Sequence, residues 1–188
     1  MISDGTMMFA AKEGLLMVDP DAMQWGIESQ HAVDVEVVTC DVLTNEIRNE
    51  TFDVVVSSCL LTQLFLDIDS SLKADASAYA DLRQRHFESM IRLMKAGATG
   101  IFVTDVVSSD TCSDLPGLTV EQLKDRLPRL IEQHNFFTGT NPAVVHHLLT
   151  ADPDLAELIS DVRPIDPWLW NPGPRTYACY GMRFSRSD

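Results

Sequence analysis

Blocks of unbroken apolar residues alternate along this chain with stretches in which apolar positions recur every three or four residues. The clearest junction between the two patterns is 51–65, TFDVVVSSCLLTQLF. Val54, Val55 and Val56 form a short β-branched run that suits a strand buried on both faces of a parallel sheet. Leu60, Leu61 and Leu64 then follow at helical spacing. Ser57 and Ser58 fall between them, at the strand's carboxyl end, where open α/β sheets hold their ligands. A plainer role is also open to the two serines, that of ending a strand and starting a helix.

Upstream, two patterns overlap. Met7, Met8, Ala11 and Leu15 lie at helical spacing and Gly14 stands where a helix would stop, which predicts a short helix over 4–13. The same residues, TMMFAA, read equally as a strand over 6–11. Leu15–Val18 is a second apolar strand, closed by Asp19 and Pro20. A helix over 22–31 and a strand at Val35–Thr39, ending in Cys40 and Asp41, come next.

Beyond the central strand, 71–95 is amphipathic, with Tyr79, Leu82, His86, Phe87, Met90, Ile91 and Met94 on one side. His86 on that stripe reads as a core or boundary histidine. Gly97 and Gly100 bracket the helix end, and 101–107 supplies another buried strand with Asp105 in it or at its exit. Strands and helices alternating at this spacing imply a parallel sheet wound by right-handed crossovers. The segment 108–117 is polar and turn-rich, and Thr119 opens a helix through a capping box with Gln122. Leu123, Leu127, Leu130 and Ile131 mark its buried side, and Pro128 is expected to kink or split it. Asn141-Pro142 and Asp152-Pro153 each place a capping side chain before a proline at the first helical position, so two short helices begin there. Finally, 165–170 and 175–184 are joined by Asn-Pro-Gly-Pro and predict an antiparallel strand pair, with Trp168 and Trp170 on one face.

The 188 residues suit one domain, and a 45% hydrophobic content makes it a folded one. A net charge of −14 repels a phosphate backbone, which argues against nucleic acid as a partner. No apolar run approaches the roughly 18 residues of a membrane span, and no leader pattern stands at the N-terminus, so the expected location is the cytoplasm. The cysteines at 40, 59, 112 and 179 share no close spacing with one another or with the histidines. They are read as reduced core thiols, with neither a disulfide framework nor a metal site.

Val18-Asp19-Pro20, Cys40-Asp41-Val42, the run from Phe52 to Ser58, and Lys95-Ala-Gly-Ala98 ahead of the 101–105 strand together resemble a Rossmann-like (class I) S-adenosylmethionine-dependent methyltransferase. The resemblance covers 15–107, and more loosely 165–184, whose aromatic strand pair is similar to that family's seventh-strand ending. It implies a three-layer α/β fold with a mostly parallel sheet, and a small-molecule methyl acceptor. It also implies that Asp19 accepts hydrogen bonds from the ribose hydroxyls of S-adenosylmethionine, a role a carboxylate suits. Asp41 and Val42 would lie beside the adenine, and Ser57 or Ser58 near the methionine part. Candidate bases for the acceptor are Asp105 and His134. The implied organisation is a single domain: 1–14 a remnant helix or substitute strand, 15–107 the cofactor side, 108–162 a helical lid, and 163–188 the closing β pair.

The chain departs from the family before Leu15, where the first strand and its GxGxG turn are missing. In the family's order that strand lies between the second and the fourth, so its loss would strand backbone groups mid-sheet. Direct pairing of Leu15–Val18 with the central strand is the favoured repair; insertion of 6–11 as a substitute, cover by a second copy of the chain in a homodimer, and a sequence start placed too late are the others. The missing turn also supports an alternative function, a non-catalytic methyltransferase-like domain acting as a structural or protein-interaction module.

Overall fold

The computed structural model describes the strand backbones at 7–11, 15–18 and 35–39 and the stretches 52–71 and 76–187, with side chains from 52 to 65 and from 76 to 187. The strands are β1 (Met7–Ala11), β2 (Leu15–Val18), β3 (Val35–Thr39), β4 (Phe52–Ser58), β5 (Met94–Ser108), β6 (Ile159–Trp170) and β7 (Tyr177–Arg186). The helices among the described residues are α1 (Leu60–Ser71), α2 (Ala76–Leu93), α3 (Val120–Glu132), α4 (Pro142–Ala151) and α5 (Pro153–Ala156), with a 3-10 turn at Leu115–Gly117.

The seven described strands join one sheet in the order β3-β1-β2-β4-β5-β7-β6. β2, β4 and β5 pair in parallel, whereas β1 is antiparallel to both its neighbours and so is β7. β3 and β6 therefore run with β2, β4 and β5, and only β1 and β7 oppose them. The gap expected at the sheet's centre is closed directly: Leu15, Leu16, Met17 and Val18 stand opposite Val54, Val55, Val56 and Ser57. The reading of 4–13 as a helix is corrected, since Met7–Ala11 is a strand. Its apolar run satisfies its backbone between β2 and β3, one place away from the central gap. The predicted helix over 22–31 lies outside the described residues.

α2 packs on β4 and β5, and α1 on α2 and β5. Between α2 and the sheet lies an aromatic core in which Phe87 meets Phe102 at 4.9 Å and Phe184 at 6.4 Å between ring centroids, and Phe102 meets Tyr180 at 6.3 Å. Phe87, Phe102 and Phe184 are fully enclosed. Two glycines make room for the strands here: a Cβ on Gly100 would fall 2.4 Å from the Phe184 ring, and one on Gly181 would fall 2.8 Å from the Phe102 carbonyl oxygen.

The capping box of Thr119 and Gln122 is formed, and α3 continues through Pro128 without being split. The expected break is corrected by location: Pro128 and Lys124, whose carbonyl loses its helical donor, both lie on the exposed side. Leu123, Leu127 and Leu130 hold the other side in the core. Asn141 and Asp152 cap α4 and α5 through their side chains, each ahead of a proline. α3 and α4 pack against β6 and form a wall along that edge of the sheet.

Candidate functional site

The chain leaves β2 toward β3 on one side of the sheet and returns to β4 on the other, which makes the β2–β4 seam its topological switch point. At this seam Val18, the last residue of β2, stands opposite Ser57 of β4. Asp19 follows Val18 in the sequence; Asp19, Asp41 and Val42 all lie outside the described residues. The described part of the site is built by β4, β5, β7 and the first turn of α1.

Ser57 and Ser58 point to opposite faces, as neighbours on a strand must. The Ser57 hydroxyl faces α2, is fully buried, and stands 2.9 Å from His86 Nε2. Burial lowers the His86 pKa from 6.5 to about 4, so the ring is neutral at pH 7, and its Nδ1 is buried without a partner. His86 is thus the core histidine its place on the apolar stripe implied. Ser58 is half-buried, opposite Val103 of β5.

Cys59 makes the turn from strand to helix in the left-handed region, at φ 52°, and its N–H donates to the Val103 carbonyl at 2.9 Å. No glycine marks this turn, so the sequence carries no signal of it. Cys59 is half-buried and not the core thiol expected, while Cys112 and Cys179 are buried. The Cys179 thiol is raised by the neighbouring Cys59 thiol and by burial, which keeps it protonated and unreactive.

Helix α1 begins directly after Cys59 and brings Thr62 over the end of β5. Thr104 and Thr62 hydroxyl oxygens are 3.0 Å apart, and Thr62 donates to Asp105 Oδ1. Each hydroxyl has one proton, so the consistent order runs Thr104 to Thr62 to Asp105. Asp105 is only 6% exposed, and burial raises its pKa against the opposing effect of the Thr62 bond. Cys179 stands opposite it on β7. Asp105 and Ser58 are therefore brought to one end of the sheet.

His134 is exposed at the C-terminal turn of α3, with φ 56°, and there its N–H donates to the Ile131 carbonyl while Asn135 N–H closes on Leu130. That pattern is a left-handed helix cap made by backbone groups. Thr62 is the residue that sequence reasoning missed. Its one signal was a hydroxyl in the first turn of an otherwise leucine-rich segment. No cluster of potential metal ligands occurs among the described residues. No described helix is long and apolar enough to cross a membrane.

No family model matches the sequence. No curated protein matches it either. Among solved structures, the chain is similar to the N-methyltransferase NodS from Bradyrhizobium japonicum WM9 in complex with S-adenosyl-L-homocysteine, at 13% identity and a TM-score of 0.42, covering 80% of this chain and 54% of that one. NodS without that ligand gives 13% identity and a TM-score of 0.40, over 80% and 59% of the two chains. A structure concerned with the conversion of a disulfide bond into a thioacetal group during echinomycin biosynthesis gives 18% and 0.38, over 79% and 54%. The chain thus spans little more than half the length of these structures. Its own strand order and directions, with a reversed β7 between β5 and β6 and β2 joined directly to β4, make a mostly parallel Rossmann-like α/β sheet with an antiparallel C-terminal pair.

Proposed function

We propose that the chain carries out S-adenosylmethionine-dependent methyl transfer to a small-molecule acceptor, with the cofactor in the crevice beyond the carboxyl ends of β2 and β4. The observation that supports this most is the register at the switch point, where β2 and β4 end side by side at Val18 and Ser57. In this reading Asp19 takes the ribose hydroxyls, Asp41 and Val42 flank the adenine, and Ser58 with the turn at Cys59 borders the methionine part. Ser57 contributes main-chain groups, because its hydroxyl is committed to His86.

The described residues suit such a ligand, which carries a carboxylate and a sulfonium cation. The first-turn amides of α1 have no intrahelical acceptors and suit the former, and the buried Asp105 carboxyl suits a cation. The bound cofactor supplies an electrophilic methyl group; alignment supplies much of the catalysis. Of the two candidate bases, Asp105 is the one the reading uses, since it borders the crevice.

A second reading, a non-catalytic module that binds another protein, is favoured by the reversed β1 between β2 and β3. Calorimetric titration with S-adenosylmethionine and S-adenosylhomocysteine separates the two. Stoichiometric binding in the micromolar range, abolished by Asp19→Ala, supports the enzyme. Absence of binding by the folded chain favours the module.

A further inference from the structure

Strand β5 runs past the end of β4. Ser58, the last residue of β4, stands opposite Val103, and β5 continues beyond that pair to Ser108. In this extension the pairing with β7 slips: Asp105 stands opposite Cys179 and Val107 opposite Ala178, which leaves Val106 as the extra residue of a bulge. Bulges re-aim side chains and gather beside active sites. The start of α1 fills the place that β4 vacates, with Cys59 N–H on the Val103 carbonyl at 2.9 Å and Thr62 on Thr104 and Asp105.

The Asp105 carboxyl is poorly satisfied there. An ionised carboxylate has two oxygens and about four sites for donors. Among the described residues the one side chain that bonds to it is Thr62, and no cation reaches it. The groups facing it from the packed elements are the Thr62 hydroxyl of α1 and the Cys179 thiol of β7, with the Cys59 thiol of the turn beside the latter. None of them carries a positive charge. Burial accordingly pushes the Asp105 pKa up, against the Thr62 bond. A carboxylate held in so dry a place calls for a positive charge that these neighbours do not supply.

Thr62 suits the task of holding it. The residue is 5% exposed, and its branched side chain has few rotamers. With the Thr104 hydroxyl donating to the Thr62 oxygen at 3.0 Å, the Thr62 proton is left for Asp105. That bond fixes the direction of the carboxyl and favours its ionised form.

S-adenosylmethionine carries a sulfonium cation, whereas S-adenosylhomocysteine carries a neutral thioether and is otherwise the same molecule without the methyl group. We propose that Thr62 is a positioning residue that holds the Asp105 carboxylate at the crevice border as counter-charge to the cationic sulfur, so that the site prefers S-adenosylmethionine to S-adenosylhomocysteine. Resting on the methyl-transfer reading, this gives the site a means of favouring fresh cofactor over spent product. The action is Coulombic and needs no contact between the two groups.

Calorimetric titration of the whole chain with each ligand between pH 4 and 7 gives the ratio of the two dissociation constants, in which the groups common to both ligands cancel. The preference for S-adenosylmethionine is expected to rise by about tenfold as Asp105 ionises. By linkage, carbon-13 NMR of the carboxyl groups should place the Asp105 pKa about one unit lower in the S-adenosylmethionine complex than in the S-adenosylhomocysteine complex. Thr62→Val should move the rise to higher pH, and Thr62→Ser should bring it back, a rescue by the hydroxyl that a packing role would not give. Asp105→Asn should flatten the ratio, and it keeps the test open should Thr62→Val not fold. A ratio independent of pH, a pH dependence that persists in Asp105→Asn, or an Asp105 titration unmoved by Thr62→Val would each overturn the assignment. Binding of both ligands without discrimination removes this role and leaves the methyl-transfer reading standing; binding of neither removes both.

Discussion

The hydroxyl of Ser57 on β4 and Nε2 of His86 on α2 stand 2.9 Å apart in a place closed to solvent, and they tie the central strand to its covering helix. The pair sets a pH dependence. The His86 pKa is about 4 when folded and 6.5 in its ordinary state, so between these values the unfolded chain binds the proton and the native one does not. Stability therefore falls as pH drops through that window, by about 2 kcal/mol at pH 5 relative to neutral, and further below it. Urea unfolding at the two pH values should show the loss, and His86→Gln should remove most of it. An unchanged slope in His86→Gln would assign the dependence to other groups. Ser57→Ala should cost roughly 1–2 kcal/mol at neutral pH by leaving Nε2 unpaired.

Thr62 and Asp105 give the opposite sign. Burial holds the Asp105 pKa above 3.8, so above that value the unfolded chain gives up its proton first and stability declines as pH rises through the native pKa. Asp105→Asn keeps an acceptor for Thr62 and removes the buried charge, and is expected to raise stability at neutral pH. Thr62→Val, which strips the carboxyl of its partner, should lower it by about 1–3 kcal/mol, and Thr62→Ser should recover most of that. Chemical denaturation of the three variants decides; a destabilised Asp105→Asn would mean that the carboxylate has a further partner.

His134 tests the division between site and scaffold. At φ 56° on an exposed helix end, glycine fits better than histidine. His134→Gly should raise the midpoint of thermal unfolding, by an amount equivalent to about 0.5–1 kcal/mol. Cofactor affinity should not change. A variant that is more stable but loses binding would return His134 to the site.

Gly181→Ala probes the sheet itself. The added methyl group would meet the Phe102 carbonyl oxygen at 2.8 Å, a backbone atom that cannot rotate away. A loss of about 1–3 kcal/mol is expected. A neutral result would show that β5 and β7 can slide apart at this point.

Much of this architecture was legible in local patterns. The valine run of β4, the leucines of α1, the capping box at Thr119 and the two Asx-Pro caps are each decided by neighbours in sequence, and each formed as read. The segment 4–13 was not, because MMFAA satisfies both periods and only its pairing with β2 and β3 selects the strand. The candidate site was legible only in part. Ser57 and Ser58 close β4, where the α/β rule looks, while Asp105 lies inside β5, which runs on to Ser108. That Ser57 turns inward to His86, and that Thr62 reaches Asp105, depends on crossings between elements 29 and 43 residues apart. Such distant juxtapositions leave no periodicity to read.

The place of β7 has a consequence for the order in which the protein assembles. β6 is synthesised first, yet β7 separates it from β5, so β6 has no seat in the sheet until the later strand is made. Until then β5 keeps an open edge, of the kind that invites pairing with other chains. The wall of helices along β6 must likewise wait to dock. During synthesis β7 thus closes the β5 edge and anchors the wall together, and a chain cut short before Tyr177 is expected to self-associate through that edge.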